Sequence, residues 1–419
     1  MNLNELFDNR DQYYLKAPSG VAMAFLACIV GGLVLMGVGF ATLDGKSVWG
    51  AYLFNLFFFF CLGLGGMAMS AMQDVVSAVW ARPIKRIWEA FGVFIPVATV
   101  MFFIFLIAVK LDIAGAGAVY RWIEDPEVVH HFWGKNIWLS ENFFLVRCVL
   151  ILSIVCMVAY WQLKMSMGRD MKFMAGDRDG ALAFGKEAKV KLNFWSGGIL
   201  IVYGLSLTFF GMDVIMSLSP LWFSTLFGGW QFAIMMQTLF ATTLVVMFTL
   251  KGSKIGEFFF RQQFHDCGKL LFGFTVFFGY TTFAHILTYW YGNMPEETEY
   301  YIHRLHGPWL YLLWFVFFAA FVVPMYSLVF KASKWTLWLT VPIALLVLTA
   351  QWSTNLILVM PEVSSPEGGY FPVAELGAFL FFFGLFFTTF LTVGKKVPMV
   401  ALADPLLPAG VELSHHHHG

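Results

Sequence analysis

The stretch GMDVIMSLSPLWFSTLFG, Gly211–Gly228, sets one carboxylate at the end of an apolar run and follows it with a proline and a second apolar run. Proline has no backbone donor and ends a helix, so the pattern predicts two membrane helices joined by a turn around Pro220. A charged side chain this close to hydrocarbon is costly and is a functional candidate by default. The stretch therefore predicts a helical membrane protein and a first site residue, Asp213.

Composition supports the same class over the whole chain. The 419 residues are 59% hydrophobic and 12% charged, with a mean hydropathy of +0.73, which excludes a water-soluble domain. A helix needs about 20 apolar residues to cross the hydrocarbon core. Ten such segments occur: 19–43, 50–73, 90–110, 143–164, 194–216, 222–250, 270–291, 308–330, 336–359 and 373–394. We predict an all-α polytopic protein with one membrane domain, 19–394, a polar segment 1–18 and a tail 395–419.

Basic residues indicate the orientation. Most of the 26 lysines and arginines lie in the two terminal segments and in the loops after helices 2, 4, 6 and 8, which predicts that both termini are cytoplasmic. Segment 1–18 lacks the features of a cleavable signal peptide. The opposite side carries the acidic loops, around Asp112–Glu141, Glu296–Glu299 and Glu362–Glu367. With zero formal net charge, nucleic acid is not expected as a partner.

Cysteine and histidine usage predicts that this chain binds no metal cofactor. The five cysteines are scattered, without a C-x-x-C pair or a C-x-x-C-H haem attachment. A bis-histidine haem needs facing histidines, and only His285 lies within a predicted span. The SHHHHG run at 414–419 is either a tag remnant or a native tail, and carries no argument.

A weak internal repeat groups the helices. Helix 2 begins AYLFNLFFFF (51–60) and continues GLGGMAMSAMQ (63–73), while helix 6 contains WFSTLFGGW (222–230) and FAIMMQTLFATT (232–243). Four spans per repeat give both halves one orientation. We predict two parallel four-helix bundles, helices 2 to 5 and 6 to 9, with helices 1 and 10 peripheral. The Gly and Met cluster favours close helix packing over a flexible quinone pocket.

Polar side chains recur at helical spacing within three spans. The sets that share a face are Tyr203, Ser206, Asp213 and Ser217; Ser224, Gln231, Thr238 and Thr242; and Thr281, His285 and Thr288. In lipid these faces turn inward. They predict either a proton relay or polar ligand site, or hydrogen bonds that only join helices, at about 0.6–2 kcal/mol each.

Each ionisable candidate residue has more than one possible role. Asp213 is either functional or a structural cap, and Arg147 can pair with Asp213 or Glu141 or reach outward. His285 either titrates or is simply hydrogen-bonded. Asp74 lies either at the inner mouth of a proton path or among the lipid headgroups. The residues proposed for proton transfer are Asp213, Arg147, His285 and Asp74, with Ser217, Tyr203, Thr281 and Gln231. The glutamates expected at the interface are Glu89, Glu257 and Glu375.

The motif D-x-x-M-S-x-x-P-x-W-F-S-T-x-F-G, Asp213–Gly228, resembles the junction of helices 5 and 6 in the NrfD or polysulfide-reductase membrane-subunit family, most closely the F-type subunit of alternative complex III. Further motifs resemble the same subunit over nearly all ten helices. They are FFLVR at Phe143–Arg147, GNMPEE at Gly292–Glu297, VMP with PEG in Val359–Gly368, and K-x-P-x-V at Lys396–Val400 followed by Asp404 and Pro405.

The resemblance implies a bacterial cytoplasmic-membrane subunit, not catalytic alone, of a complex that oxidises menaquinol through partner subunits holding haem c and iron–sulfur clusters. Quinol-binding relatives carry His after the junction Trp, where this chain has Phe223. The implied role is therefore structural, with a proton path. One alternative is that this chain binds menaquinol, with Asp213 or His285 accepting the hydroxyl proton. A second is an independent secondary transporter.

Overall fold

A computed structural model describes residues 8–130, 134–364 and 372–416, and all regular structure within them is helical. Ten helices are long and apolar enough to cross a membrane: α1 (Ser19–Thr42), α2 (Gly45–Val75), α3 (Lys85–Lys110), α4 (Glu141–Met174), α5 (Arg178–Leu218), α6 (Phe227–Leu250), α7 (Arg261–Gly292), α8 (Pro308–Val329), α9 (Leu337–Val363) and α10 (Val373–Lys396). The predicted all-α, ten-helix class is confirmed. The PEG motif and Glu367 lie outside the described residues.

The helices pack as two bundles related by a two-fold pattern of contacts. Helices α2, α3, α4 and α5 form one closed ring of neighbours, and α6, α7, α8 and α9 form a second. Between the rings, α2 contacts α6 and α9, and α5 contacts α6. Exchanging α2 with α6 and α5 with α9 converts the α2–α9 contact into the α6–α5 contact. A two-fold axis along the membrane normal requires this equivalence. We call the rings bundle 1 and bundle 2.

Helices α2 and α6 lie at the centre because they are apolar on every face, and such helices are buried. The glycines of α2 let α3 approach closely: a Cβ on Gly66 would lie 2.4 Å from the carbonyl oxygen of Trp88. This supports the packing interpretation of the Gly and Met cluster. Helix α1 is peripheral, and it packs on α10 where a Cβ on Gly32 would lie 2.4 Å from the Phe381 nitrogen.

Several helix limits differ from the predicted spans. Helices α4 and α5 run on toward each other beyond 164 and before 194, because residues 165–193 are rich in good helix formers such as Lys, Met and Ala. They meet at a turn that contains Gly176, at a φ of 90°. Helix α6 begins at Phe227 instead of 222, since Pro220 lacks a donor and the Ser224 hydroxyl accepts from the Leu226 N–H at 3.2 Å.

Because the number of spans is even, the segments before α1 and after α10 lie on the same side of the helix bundles, which we call the terminal side. The terminal side carries residues 8–18 and 397–416, and the opposite side carries residues 111–130, 134–140 and 293–307, which include the short helices Lys135–Trp138 and Pro295–Arg304. The tail on the terminal side is packed: Met399 and Leu407 are buried, and the Met399 N–H donates to the Tyr13 carbonyl at 3.0 Å. The end of bundle 1 on that side is therefore covered by the tail.

Candidate functional site

On the opposite side of bundle 1, Asp213 and Arg147 form a two-pronged ion pair. Arg147 Nε lies 2.8 Å from Asp213 Oδ2, and Nη2 lies 2.7 Å from Oδ1. Asp213 is fully buried, and its side chain sits on the last turns of α5 facing the first turns of α4. Charge-assisted, bidentate pairs of this kind are the stronger ones. Arg147 therefore turns inward, and Glu141 pairs with Lys110 instead, at 3.1 Å.

A tryptophan from the short helix Lys135–Trp138, just before α4, completes this site. Trp138 Nε1 donates to Asp213 Oδ1 at 3.2 Å, and its carbonyl accepts from Arg147 Nη1 at 3.1 Å. The guanidinium also lies over the Trp138 ring, 3.9 Å from its centre. The Ser217 hydroxyl donates to the backbone carbonyl of Asp213. Trp138 was missed because it lies on a single helical turn, Lys135–Trp138, which is too short to show a period.

Bundle 2 repeats the arrangement with Arg304 and Glu362, which lie 3.0 Å apart near the start of α8 and the end of α9. Arg304 Nε also donates to the Ile357 carbonyl at 3.1 Å. That carbonyl has no helical donor, because Pro361 four residues later lacks an N–H. The guanidinium stacks 3.4 Å from the Tyr300 ring centre, as Arg147 does on Trp138. This second pair was missed because Glu362 was assigned to an acidic loop.

Midway through bundle 1, three helices meet at a buried amide. Gln162 on α4 donates from Nε2 to the Met67 carbonyl of α2 at 3.1 Å and accepts from the Tyr203 hydroxyl of α5 at 3.0 Å. Tyr203 is ten residues from Asp213, or about 15 Å along the helix. Four phenylalanine rings lie between the helices beyond this amide, toward Asp213, with neighbouring centroids 4.8–6.4 Å apart: Phe57, Phe60, Phe102 and Phe210.

On the terminal side, bundle 1 holds a buried cluster of eight charged side chains that we call the ion cluster. None is more than 3% exposed, and the charges balance. The cations are Arg82, Lys85, Arg86 and Arg169, and the anions are Asp74, Glu89, Asp170 and Asp404. Burying charge is tolerable only when each ion is paired and hydrogen-bonded. The cluster therefore holds together α2, α3, α4 and the tail.

The pairing inside the ion cluster is specific. Lys85 Nζ lies 2.6 Å from Asp74 Oδ1, and Arg82 Nη1 lies 2.8 Å from the same oxygen. Arg86 pairs with both Glu89 and Asp170. The tail enters through Asp404, whose Oδ2 lies 2.7 Å from Arg169 Nη2 and 3.2 Å from Arg82 Nη1.

The prediction for Glu89 is corrected, and one of the two alternatives for Asp74 is excluded. Glu89 does not lie at the interface; it is fully buried and accepts from the Ser70 hydroxyl at 3.0 Å. Asp74 does not lie among headgroups, because it is enclosed by Lys85 and Arg82, and its place at the inner mouth of a proton path stays a prediction. The arginines and lysine of 82–86 had been interpreted only as orientation signals. The presence of three basic residues in 82–86, close in sequence to Asp74 and Glu89, could have indicated an ion cluster.

The candidates in bundle 2 form separate groups. His285 Nε2 lies 2.6 Å from the Ser224 hydroxyl oxygen, beside the Trp230 ring. The Thr281 hydroxyl donates to the Phe277 carbonyl of its own helix at 2.9 Å. Gln231 is buried, and its Nε2 has no hydrogen-bond partner within the described residues. These three do not join the Asp213 site.

Other hydroxyls of the predicted stripes serve packing. Thr238 donates to the Ile234 carbonyl at 2.8 Å, and Thr242 to the Thr238 carbonyl at 2.9 Å, both within α6. Gln237 instead links helices of bundle 2. It donates to Thr275 at 2.9 Å and to the Ala320 carbonyl at 2.7 Å, and it accepts from Gln351. The structure thus distributes the eight predicted residues over several sites, one of which brings Asp213, Arg147 and Ser217 together.

The sequence matches no known protein-family model and no curated protein. Across residues 8–130, 134–364 and 372–416, no three His, Cys, Asp or Glu side chains converge in the way that a metal ion would need. The absence of a metal cofactor from this chain stays a prediction.

The ion cluster should make stability depend on acid pH. Burial raises the pKa of Asp404, but Arg169, Arg82, Lys85 and the Leu406 N–H outweigh burial and hold this pKa well below its usual value. A lowered folded-state pKa contributes stability that is present above the unfolded-state pKa, about 3.9, and is lost as the pH falls through the folded-state pKa. We expect the contribution of Asp404 to be constant from pH 8 to pH 5 and to fall below about pH 4. Thermal unfolding against pH measures this, and the acid slope should be shallower in Asp404→Asn.

Proposed function

We propose that this chain is an integral membrane subunit of a quinol-oxidising electron-transfer complex, the alternative complex III of the resemblance, and that bundle 1 carries protons for it. The observation that supports the proton role is the spacing of polar groups through bundle 1. Tyr203 and Gln162 lie between a buried ion pair on one side and the ion cluster on the other.

The terminal half of this route is polar over most of its length. Ser166 lies one helical turn from Gln162 and is 3.5 Å from Arg169 Nη2 in the ion cluster. One turn is about 5.4 Å, a distance that a water molecule can bridge between polar groups. The opposite half holds the four phenylalanine rings between Tyr203 and Asp213. The route we propose therefore consists of a polar half, an aromatic gate at those rings, and Asp213 with Arg147 beyond it.

The orientation proposed for this route places the terminal side in the cytoplasm of a bacterial inner membrane, since basic residues accumulate there. Protons would enter at the ion cluster and leave past Asp213. We propose that menaquinol is oxidised elsewhere in the complex, and that partner subunits hold the haem c and iron–sulfur clusters. The position of Phe223 after the junction Trp222 supports this division of labour.

Quinol binding by this chain is the second candidate, and the His285–Ser224 pair favours it. The pair lies near the opposite side, where Trp222 stacks on Tyr300 with ring centres 4.1 Å apart. An imidazole bonded to a hydroxyl is a suitable acceptor for a quinol proton. Retained quinone that an inhibitor displaces, and that His285→Phe abolishes, would select this candidate.

The proton route predicts a specific effect of Tyr203→Phe in the assembled complex. The ring is kept while the hydroxyl that bonds Gln162 is lost, at a stability cost of about 1–3 kcal/mol. We expect quinol oxidation to continue with fewer protons translocated per electron, measured in vesicles. Asp213→Asn should also lower the number of protons translocated per electron.

Thr238→Val is the matched control, since the Thr238 hydroxyl bonds only within its own helix. Its proton-to-electron ratio should equal that of the unmodified complex. An unchanged ratio in both Tyr203→Phe and Asp213→Asn, with normal quinol oxidation, would rule out the route through bundle 1.

A further inference from the structure

An apolar groove of about 1260 Å³ lies between α1 and α10 on one side and α6 and α9 on the other. Its floor is α2, through Phe58, Phe59 and Leu62. Pockets for small molecules are commonly about 300–1,000 Å³. The groove exceeds that range, so its dimensions suit a two-chain lipid.

Polar groups along the membrane part of the groove are already satisfied within the protein. The hydroxyls of Thr242, Thr249 and Thr349 each donate to a carbonyl of their own helix at 2.8–2.9 Å. Trp352 Nε1 donates to Asn55 at 2.8 Å, away from the groove. These walls therefore offer methyl groups and rings, but few donors. A quinone ring held here would leave its oxygens unpaired, which costs about 1–3 kcal/mol for each buried group.

The end of the groove on the terminal side is polar and basic. It is lined there by Gln12, Lys16, Ser253 and Lys254, which belong to the N-terminal segment and to the loop after α6. Both lysines are exposed. Lys254 pairs with Glu257 at 2.8 Å, while no ion pair is found for Lys16 within the described residues. The mouth thus has an excess positive charge beside an apolar channel.

We propose that this groove binds an anionic phospholipid, with its acyl chains on α2, α6 and α10 and its headgroup at Lys16 and Lys254. Acyl chains need no polar partners, which matches the walls, and a negative headgroup matches the mouth. The site is independent of the proposed function, because it lies outside the Tyr203 and Asp213 route.

The proposal is tested by native mass spectrometry of the full chain taken from vesicles that contain phosphatidylglycerol and phosphatidylcholine in equal amounts. We expect one phosphatidylglycerol to be retained per chain in preference to phosphatidylcholine. Lys16→Ala with Lys254→Ala should weaken retention by about five-fold for each lysine. Lys395→Ala with Lys396→Ala, on the same side but outside the groove, should leave it unchanged.

Filling the groove gives a second readout. Leu345→Trp with Thr349→Trp adds bulk at two exposed groove positions and should abolish retention without unfolding the protein. Leu205→Trp, on the exposed face of α5, is the matched control and should retain the lipid. Equal retention of the two lipids, retention in the filled variant, or displacement of the lipid by added quinone would each overturn the proposal.

Discussion

Asp404→Asn is expected to lower the free energy of unfolding by about 3–5 kcal/mol, the usual cost of removing one partner from a buried ion pair. The change is nearly isosteric, so packing is kept while Arg169 and Arg82 lose their shared anion. Arg169 is 1% exposed and has no route to water without moving the helix. Unfolding in detergent, followed by circular dichroism, measures the loss.

The same substitution should free the tail. Asp404 and the Ala403 N–H, which donates to Asp170 at 2.8 Å, attach residues 397–411 to the ion cluster. We therefore expect faster proteolysis of the tail in Asp404→Asn, before the membrane helices unfold. Limited proteolysis with mass detection follows this directly.

A double-mutant cycle separates the pair from general damage. Arg169→Met combined with Asp404→Asn removes both charges, so the double variant should lose less stability than the sum of the two single variants. Glu257→Gln breaks an ion pair in which both side chains are more than half exposed. It should change stability by no more than about 0.5 kcal/mol. Additive losses would show that the ions are not coupled.

Asp213→Asn is expected to destabilise the protein by about 3 kcal/mol. Arg147 keeps its contact with the Trp138 ring, and its side chain is 11% exposed. It can therefore regain some hydration, and the loss should be smaller than at Asp404. Arg147→Lys keeps the charge but not the two-pronged geometry, so we expect an intermediate loss. Chemical unfolding of the three proteins in one detergent gives the ranking.

Glu141→Gln is the matched control for this pair, because the Glu141–Lys110 pair lies on the same side and is partly exposed. A loss of about 0.5 kcal/mol or less is expected for it, as for exposed pairs in general. If Asp213→Asn is no more destabilising than Glu141→Gln, the buried pair does not stabilise α4 against α5.

The fold could be predicted from sequence because the bilayer imposes one dominant constraint. Each span needs about 20 apolar residues, and all ten appear as continuous runs. The repeat of 51–73 in 222–243 correctly indicated two bundles, since equivalent central helices need similar small and aromatic residues. The pairing of Arg147 with Asp213 was predicted as one alternative, because an unpaired charge at that depth is costly.

The ion cluster was not predicted, for a physical reason. Its members come from α2, the turn before α3, α3, α4 and the tail, and sequence periodicity reports only neighbours on one helix. Lys85 and Arg86 looked like loop charges because positive residues accumulate at helix ends for another reason. Trp138 and Arg304 were missed because they lie on the short helices Lys135–Trp138 and Pro295–Arg304, outside the membrane spans in which the polar faces were predicted. Tertiary contacts alone bring these groups together.

The central claim is that this chain works as a subunit of a quinol-oxidising complex. The most direct test is to purify the native assembly through this chain, identify its companions by mass, and measure its absorption spectrum and quinone content. We expect haem c and iron–sulfur subunits to copurify, with no quinone bound to this chain. A chain that purifies alone and transports a solute in vesicles would contradict the claim and favour a secondary transporter.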